Sequence, residues 1–315
     1  PHAHMRTLVT GAGGFVGSHV VRNLLDHGAE VAVILRTGTS HPRLDGITDR
    51  LTVIDGELGA AGTWREALAD WRPDACIHTA WYAEPGKYLD SDLNLAGLRF
   101  SLELLELLAR AGCKHLVMTG TCFEYDTSLG FLQEDGPARP LTLYAACKHA
   151  LSVVARQRAA QLGVSFAWGR IFYLYGPFED PRRVVPALML AAIKGQEFLA
   201  TKGDQVRDYM HVADVAAGLC ALAEKGCDGV FNVCSGEPVT MARLILTAGE
   251  IMGRSDLIRL GARPPAQFDP PFIAGDNRRL REATGWAPVF DLESGLRETA
   301  GWWRAHAKAG ATAGN

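Results

Sequence analysis

The segment that most constrains this chain is Thr10-Gly11-Ala12-Gly13-Gly14-Phe15-Val16-Gly17. It follows the apolar pair Leu8-Val9 and opens a stretch of helical periodicity (Phe15, Val16, His19, Val20, Asn23, Leu24). A glycine turn between a strand and a helix brings bare backbone N–H groups up to a pyrophosphate, at the positive end of the helix dipole. Gly11 suits the tight turn, Gly14 lets the phosphates approach, and Gly17 lets helix and strand pack closely. Together with Phe15 and Val16, they form the expected cofactor-binding turn of a dinucleotide fold.

Strand-like and helix-like segments alternate after that turn. Arg6 to Thr10, Glu30 to Leu35, Leu51 to Ile54, Asp74 to Thr79, His115 to Thr119 and Val164 to Ile171 read as strands. Phe15 to His27, Thr63 to Trp71, Leu93 to Ala111 and Tyr144 to Leu162 read as helices. Such alternation gives an α/β fold, a doubly wound (Rossmann) parallel sheet with active residues at the carboxyl ends of its strands. Residues 5–175 are assigned to this dinucleotide-binding domain, with 206–235, including Val206 to His211, returning to it. Residues 176–205 and 236–308, broken by Gly176-Pro177, Asp180-Pro181, Pro264-Pro265 and Pro270-Pro271, form a smaller discontinuous α/β substrate domain. Pro1 to His4, before Met5, reads as an appended remnant, and 309–315 as a disordered tail.

Composition narrows the partners. A net charge of −3 over 315 residues argues against a nucleic-acid or bilayer surface, where a basic excess is expected. No apolar run approaches the roughly 18 residues of a membrane span. The seven cysteines (76, 113, 122, 147, 220, 227, 234) are scattered, odd in number and without a C-x-x-C pair. They read as reduced thiols of a cytoplasmic protein, with no disulfide frame and no metal site.

Two further features carry chemistry. The second strand ends in Val33-Ile34-Leu35-Arg36. An acidic residue here holds the ribose hydroxyls of NAD, whereas an arginine suits the extra phosphate of NADP. Arg36, with help from Arg43, therefore points to NADP, with NAD as the alternative. Tyr144-Ala145-Ala146-Cys147-Lys148 places a phenol and an ammonium on one helix face. A phenol near its usual pKa of about 10 is a poor base at neutral pH, and a nearby cation favours the phenolate. The pair is suited to exchanging a proton with a substrate hydroxyl or carbonyl.

With Arg170-Ile171-Phe172-Tyr173-Leu174-Tyr175-Gly176-Pro177, Gln205 to Asp214 (QVRDYMHVAD) and Asp276 to Pro288 ending Gly285-Trp286-Ala287-Pro288, these motifs resemble the extended short-chain dehydrogenase/reductase family. They resemble in particular its nucleotide-sugar epimerase, dehydratase and ketoreductase branch, over almost the whole chain. The resemblance implies that Thr121 hydrogen-bonds the substrate oxygen that Tyr144 protonates, and that Lys148 also holds the nicotinamide ribose. It places Glu57 and Leu58 at adenine, Ala80 and Trp81 along the middle of the cofactor, and Arg207 and Arg263 on the nucleotide diphosphate. Asn94 fits a helix asparagine that is structural in the family. A homodimer paired through the helices near Leu98 to Leu108 and Leu151 to Arg158 is implied as well.

Departures from the branch narrow the reaction. Its sugar 4,6-dehydratases carry acids directly after the Ser/Thr, where this chain has Cys122 and Phe123; Glu124 lies one place too far on. The branch's 3,5-epimerising reductases carry a cysteine where Phe123 stands, so Cys122 reads as a buried thiol on the substrate side. Tyr173 replaces an asparagine that contacts the sugar phosphate. The expected activity is NADP-dependent reduction of a 4-keto (deoxy)sugar on a nucleoside diphosphate. A NAD-dependent nucleotide-sugar 4-epimerase is the alternative, ahead of a dinucleotide-binding regulator or a reductase of non-nucleotide carbonyls. The Trp81 to Tyr88 stretch offers groups that stack on or hydrogen-bond a sugar.

Overall fold

The structure, a computed structural model, describes residues 5–60, 62–265 and 269–312, with only the backbone of 308–312. Seven strands form a wholly parallel sheet: β1 (Arg6–Thr10), β2 (Glu30–Leu35), β3 (Thr52–Asp55), β4 (Ala75–His78), β5 (His115–Thr121), β6 (Ser165–Ile171) and β7 (Gly229–Val233). Their order across the sheet is β7-β6-β5-β4-β1-β2-β3. The strands read as near-continuous runs of Val, Ile, Leu and Ala because both faces are covered. The chain reverses its direction of winding between β1 and β4, so a crevice opens at their carboxyl ends.

One face is covered by α1 (Phe15–Asp26) and α6 (Val212–Glu224), which bury Val20, Leu24, Val215 and Leu219 against Val9, Val33 and Ile77. The other is covered by α2 (Trp64–Trp71), α3 (Leu93–Arg110) and α4 (Leu143–Leu162). There Leu104, Leu105, Leu108 and Leu151 are fully buried with Trp64, Phe166 and Trp168. Each such leucine contributes about 2 kcal/mol by leaving water. Between β1 and β4, His78 is fixed by Thr10 Oγ1 (2.6 Å at Nδ1) and Ser101 Oγ (2.7 Å at Nε2). Burial holds this imidazole neutral, its pKa lowered to about 3.

The second half has its own core. Helices α5 (Val184–Lys194), α7 (Met241–Met252) and α9 (Leu292–Thr312), the last following the short α8 (Arg278–Thr284), enclose Leu188, Met189, Leu244, Ile245, Leu296 and Ala300. Its strands are short. Val206–Arg207 lies between Val239–Thr240 and Phe272–Gly275, and Tyr209–His211 pairs with Tyr173–Tyr175. Residues 206–211 therefore do not join the large sheet, in contrast to the expectation from sequence, whereas Gly229–Val233 does. Asp208 accounts for the break: its buried carboxylate accepts the N–H groups of Ser235 (2.8 Å), Gly236 (3.0 Å) and Gly275 (3.3 Å), and so interrupts the strand. The tail differs too. Alanine-rich sequence continues α9 to Thr312, so 309–312 are helical where disorder was expected. Residues 1–4 and 313–315 lie outside the described residues.

Candidate active site

A cavity of about 730 Å³ opens at the carboxyl ends of β1, β4, β5 and β6. Its first wall is the glycine turn. Gly11 has φ +72°, and a Cβ there would meet the Ala80 backbone at 2.6 Å; at Gly17 it would lie 2.1 Å from the Gly11 carbonyl oxygen. Neither position tolerates a side chain. The first turn of α1 has no side-chain cap and no acidic residue, and Gly14, Phe15, Val16 and Gly17 all face the cavity. An uncapped helix N-terminus fronted by bare backbone is a fitting seat for a pyrophosphate. The residues present fit a dinucleotide.

The opposite wall carries the proton-exchanging groups. Thr142 caps α4 by accepting the Ala145 N–H (3.2 Å), which starts the helix so that Tyr144 and Lys148 both face the cavity. Lys148 is 3% exposed; its ammonium donates to the Thr119 carbonyl at 2.7 Å and lies 3.9 Å from the Trp81 ring centroid. Burial lowers its pKa to about 7, against the pull of Glu124. Trp81 is in turn held by Asn94 Oδ1 (2.8 Å), and the Asn94 amide donates to the Tyr88 and Ser91 carbonyls. Asn94 thus ties Trp81 to the Tyr88–Ser91 turn.

The phenol of Tyr144 is pushed up, not down. Desolvation by the cavity walls is the main cause, Tyr88 adds to it, and a hydrogen bond with the Thr121 side chain opposes it. Lys148 was expected to ease its ionisation; desolvation outweighs any such pull, and the same burial lowers Lys148 itself. Both groups are shifted toward their neutral forms. The edge of Tyr88 packs on Tyr144 with centroids 4.9 Å apart.

Thr121 closes this corner at the end of β5. Its N–H donates to Glu124 Oε1 (2.8 Å) and its Oγ1 accepts the Phe123 N–H (3.3 Å), a reciprocal cap on one short turn. Glu124 is fully buried and also accepts Trp168 Nε1 (3.0 Å) and Arg170 Nε (2.9 Å). A Cβ on Gly120 would collide with both Trp168 and Glu124. Glu124 is thus an anchor for Thr121, turned away from the cavity and unavailable as a dehydration acid.

Other expected residues divide. Trp81 and Tyr173 line the cavity; Ala80 touches it only by supporting Gly11. Arg36 and Glu57 are exposed, 3.6 Å apart as an ion pair, and Leu58 packs against the core beside Trp64; none of the three lines the cavity. Cys122 is buried behind the wall, its thiol pushed up to about 12 by desolvation. Arg207 is buried below Tyr173 (5.4 Å to the ring) and is engaged by the Asp269 carboxylate and the Val206 carbonyl (2.7 Å). The structure does not bring Arg263 to the cavity. It is exposed on the loop after strand Ile258–Arg259, its N–H bonded to the Ala200 carbonyl. Sequence reasoning missed Glu179, Arg183 and Tyr209, which do line the cavity; they follow Gly176-Pro177 or sit in a broken strand, without a periodic signal. Arg43 lines it as well, donating to the Phe178 carbonyl (2.9 Å) and the Gly13 carbonyl (3.3 Å). Among the described residues, no cluster of three His, Cys, Asp or Glu side chains is placed to hold a metal, and no helix is long and apolar enough to cross a membrane.

The profile of the NAD dependent epimerase/dehydratase family matches residues 7–234. A dTDP-4-dehydro-6-deoxy-D-allose reductase of Streptomyces bikiniensis is 30% identical, over 96% of this chain and 97% of its own length. The crystal structure of a UDP-glucose 4-epimerase from Thermotoga maritima with UDP-glucose superposes with a TM-score of 0.84 at 26% identity, covering 96% of this chain and 100% of that one. A Thermus thermophilus UDP-glucose 4-epimerase in complex with NAD gives 0.81 at 28% identity, covering 95% and 99%.

Proposed function

This chain belongs to the NAD dependent epimerase/dehydratase family, as an enzyme of the extended short-chain dehydrogenase/reductase type, and from that premise we propose that it reduces a 4-keto sugar carried on a nucleoside diphosphate, using NADPH. The meeting of Tyr144, Thr121 and Lys148 in a cavity whose other wall is an uncapped glycine-rich helix start supports redox chemistry at a sugar carbon, and Arg36 at the end of β2 carries the choice of NADPH and reduction.

In this reading the Thr121 hydroxyl orients the substrate carbonyl oxygen. Tyr144, kept as a neutral phenol by its surroundings, donates its proton to that oxygen as the carbonyl carbon becomes a secondary alcohol, and regains one from solvent. The dinucleotide, when bound, supplies the hydride. Lys148 holds the nicotinamide ribose and, once protonated, stabilises the phenolate that Tyr144 becomes. Gly11, Gly14 and Gly17 with Phe15 and Val16 seat the pyrophosphate; Ala80 and Trp81 flank the middle of the cofactor, with Glu57 and Leu58 toward adenine. Arg36, where an acid would oppose a 2′-phosphate, supports NADPH.

The second reading is a 4-epimerase that oxidises and re-reduces the same carbon with retained NAD. It is favoured by the likeness to two UDP-glucose 4-epimerases. Both readings use Thr121, Tyr144 and Lys148 alike. Incubation with NADPH and dTDP-4-keto-6-deoxyglucose separates them: the reductase consumes NADPH in proportion to product, whereas the epimerase consumes none and interconverts UDP-glucose and UDP-galactose.

We further propose a homodimer through the outer faces of α3 and α4. Leu104, Leu105, Leu108 and Leu151 are spent on the core, but Val153 and Val154 stand about half exposed. Light scattering of the Val153→Lys, Val154→Lys double variant tests this, with a monomer expected.

A further inference from the structure

After Gly176-Pro177 the chain turns at Phe178, which holds a left-handed backbone with φ +70°. A bulky residue keeps such a conformation only where its surroundings over-determine it. Here they do. The Phe178 ring packs on Trp302 (4.9 Å) and His19 (5.9 Å), the Arg22 guanidinium lies over it at 5.3 Å, and its carbonyl accepts Arg43 Nε at 2.9 Å. The product of this turn is the placement of the next residue. Glu179 lines the cavity at 8% exposure, and its Oε2 is shielded from solvent with no hydrogen-bond partner among the described residues. Neither the proton exchange at Tyr144 nor the glycine turn uses it.

We propose that Glu179 is a substrate-recognition residue, whose carboxyl hydrogen-bonds an oxygen of the sugar nucleotide held in the cavity. This rests on the reading of the cavity as a nucleotide-sugar site. A buried polar group without a partner is disfavoured, and a ligand oxygen that supplies the partner recovers the difference. Glu179 also stands on a continuous strip of lining side chains. Arg183 faces it, the Arg183 guanidinium lies 5.6 Å from the Tyr88 ring, and Tyr88 packs on Tyr144. Tyr209 also lines the cavity within electrostatic reach of Glu179, and its ring approaches Tyr173 at 5.4 Å.

The charge state decides how it acts. Burial pushes the carboxyl up to about 8; Asp180 adds to the shift, and Arg183 and the Gly176 backbone oppose it. At neutral pH the group is a carboxylic acid that donates its O–H to a sugar or phosphate oxygen. Once ionised it only accepts, and it repels a diphosphate. The groups facing it are Arg183 and Asp180 of its own loop and Tyr209 of the neighbouring strand, a phenol itself pushed up by burial. Lys148, which titrates near 7 on the far wall, is common to every variant below.

The test is calorimetric titration of the protein loaded with NADP or with NAD, using UDP-glucose, dTDP-glucose and UDP at pH 6.5 and pH 9, beside fluorescence titrations with NADPH and NADH. Wild type, Glu179→Gln and Glu179→Leu are compared. For wild type the sugar nucleotide is expected to bind about tenfold more weakly at pH 9 than at pH 6.5. Glu179→Gln keeps the pH 6.5 affinity and loses most of that dependence; Glu179→Leu is about tenfold weaker at pH 6.5; NADPH and NADH binding are unchanged in both. A loss shared by UDP assigns the contact to phosphate, and a loss confined to the sugar nucleotides assigns it to the sugar. Wild-type affinity in Glu179→Leu, or a loss confined to NADPH and NADH, overturns the proposal while leaving the proposed function intact. Failure of wild type to bind either sugar nucleotide overturns both.

Discussion

The two walls of the cavity are built on different principles. The dinucleotide wall is made of strand ends, a helix start and missing side chains: Gly11, Gly14 and Gly17 act through what they lack, and their surroundings reject a Cβ at 2.1–3.0 Å. The substrate wall is made of charged and aromatic side chains on short strands and loops. Several of its charges are already engaged, Arg182 by Asp180 (2.8 Å) and Glu84 by Lys87 (2.9 Å), while Arg207 behind the wall is held by Asp269. One wall is backbone geometry that any dinucleotide enzyme of this fold can share. The other is a set of side-chain pairs, which the substrate proposed above would exchange for contacts of its own.

The largest effect expected is at the seam between the walls. Tyr144→Phe removes the proton donor and should lower kcat about 10³-fold with NADH affinity and Tm unchanged; a loss under tenfold would take the phenol out of the chemistry. Next come the supports of each wall. Glu124→Gln leaves Arg170 buried without its counter-charge and should destabilise the fold by about 3 kcal/mol in urea titration. Gly17→Ala places a methyl against the Gly11 carbonyl and should cost about 3 kcal/mol together with cofactor binding. If Gly17→Ala binds NADH normally, the dinucleotide wall is not backbone-limited and the contrast fails.

On the substrate side, Arg207→Ala should weaken UDP-glucose binding about tenfold and retain NADH binding. Unchanged UDP-glucose binding would mean that Arg207 serves only to anchor Asp269. The smallest effect is a pH response of the scaffold under the cavity. His78 and His19 are buried neutral, with pKa values lowered to about 3 and about 4 by desolvation. Unfolded imidazoles bind protons first, near pH 6.5, so the stability these residues contribute is present above that value and is lost as pH falls toward 4. Urea midpoints should decline over that window, and the decline should shrink in His19→Asn.

The dinucleotide wall and the proton-exchanging pair opposite it were legible because their signals are local. A glycine spacing between a strand and a helix, and a tyrosine and lysine four apart on α4, each lie within a few residues of chain, and the parallel sheet follows from alternation. The substrate wall was not. Asp208 breaks what reads as one strand from Val206 to His211 by accepting N–H groups more than twenty residues away. Asp269 claims Arg207 from 62 residues on. The left-handed turn at Phe178 depends on Trp302 and Arg22, which no local pattern connects to it. The direction of the Tyr144 shift also escaped the sequence, since it is set by desolvation within cavity walls, Tyr88 among them, that distant parts of the chain build.

The most direct test of the central claim is the absorbance at 340 nm when purified protein is mixed with NADPH and dTDP-4-keto-6-deoxyglucose. A reductase gives continuing NADPH oxidation over many turnovers, with one reduced sugar nucleotide formed per NADPH, abolished in Tyr144→Phe. Tightly co-purified NAD, no net NADPH loss, and interconversion of UDP-glucose and UDP-galactose would contradict that reading and make the enzyme an epimerase.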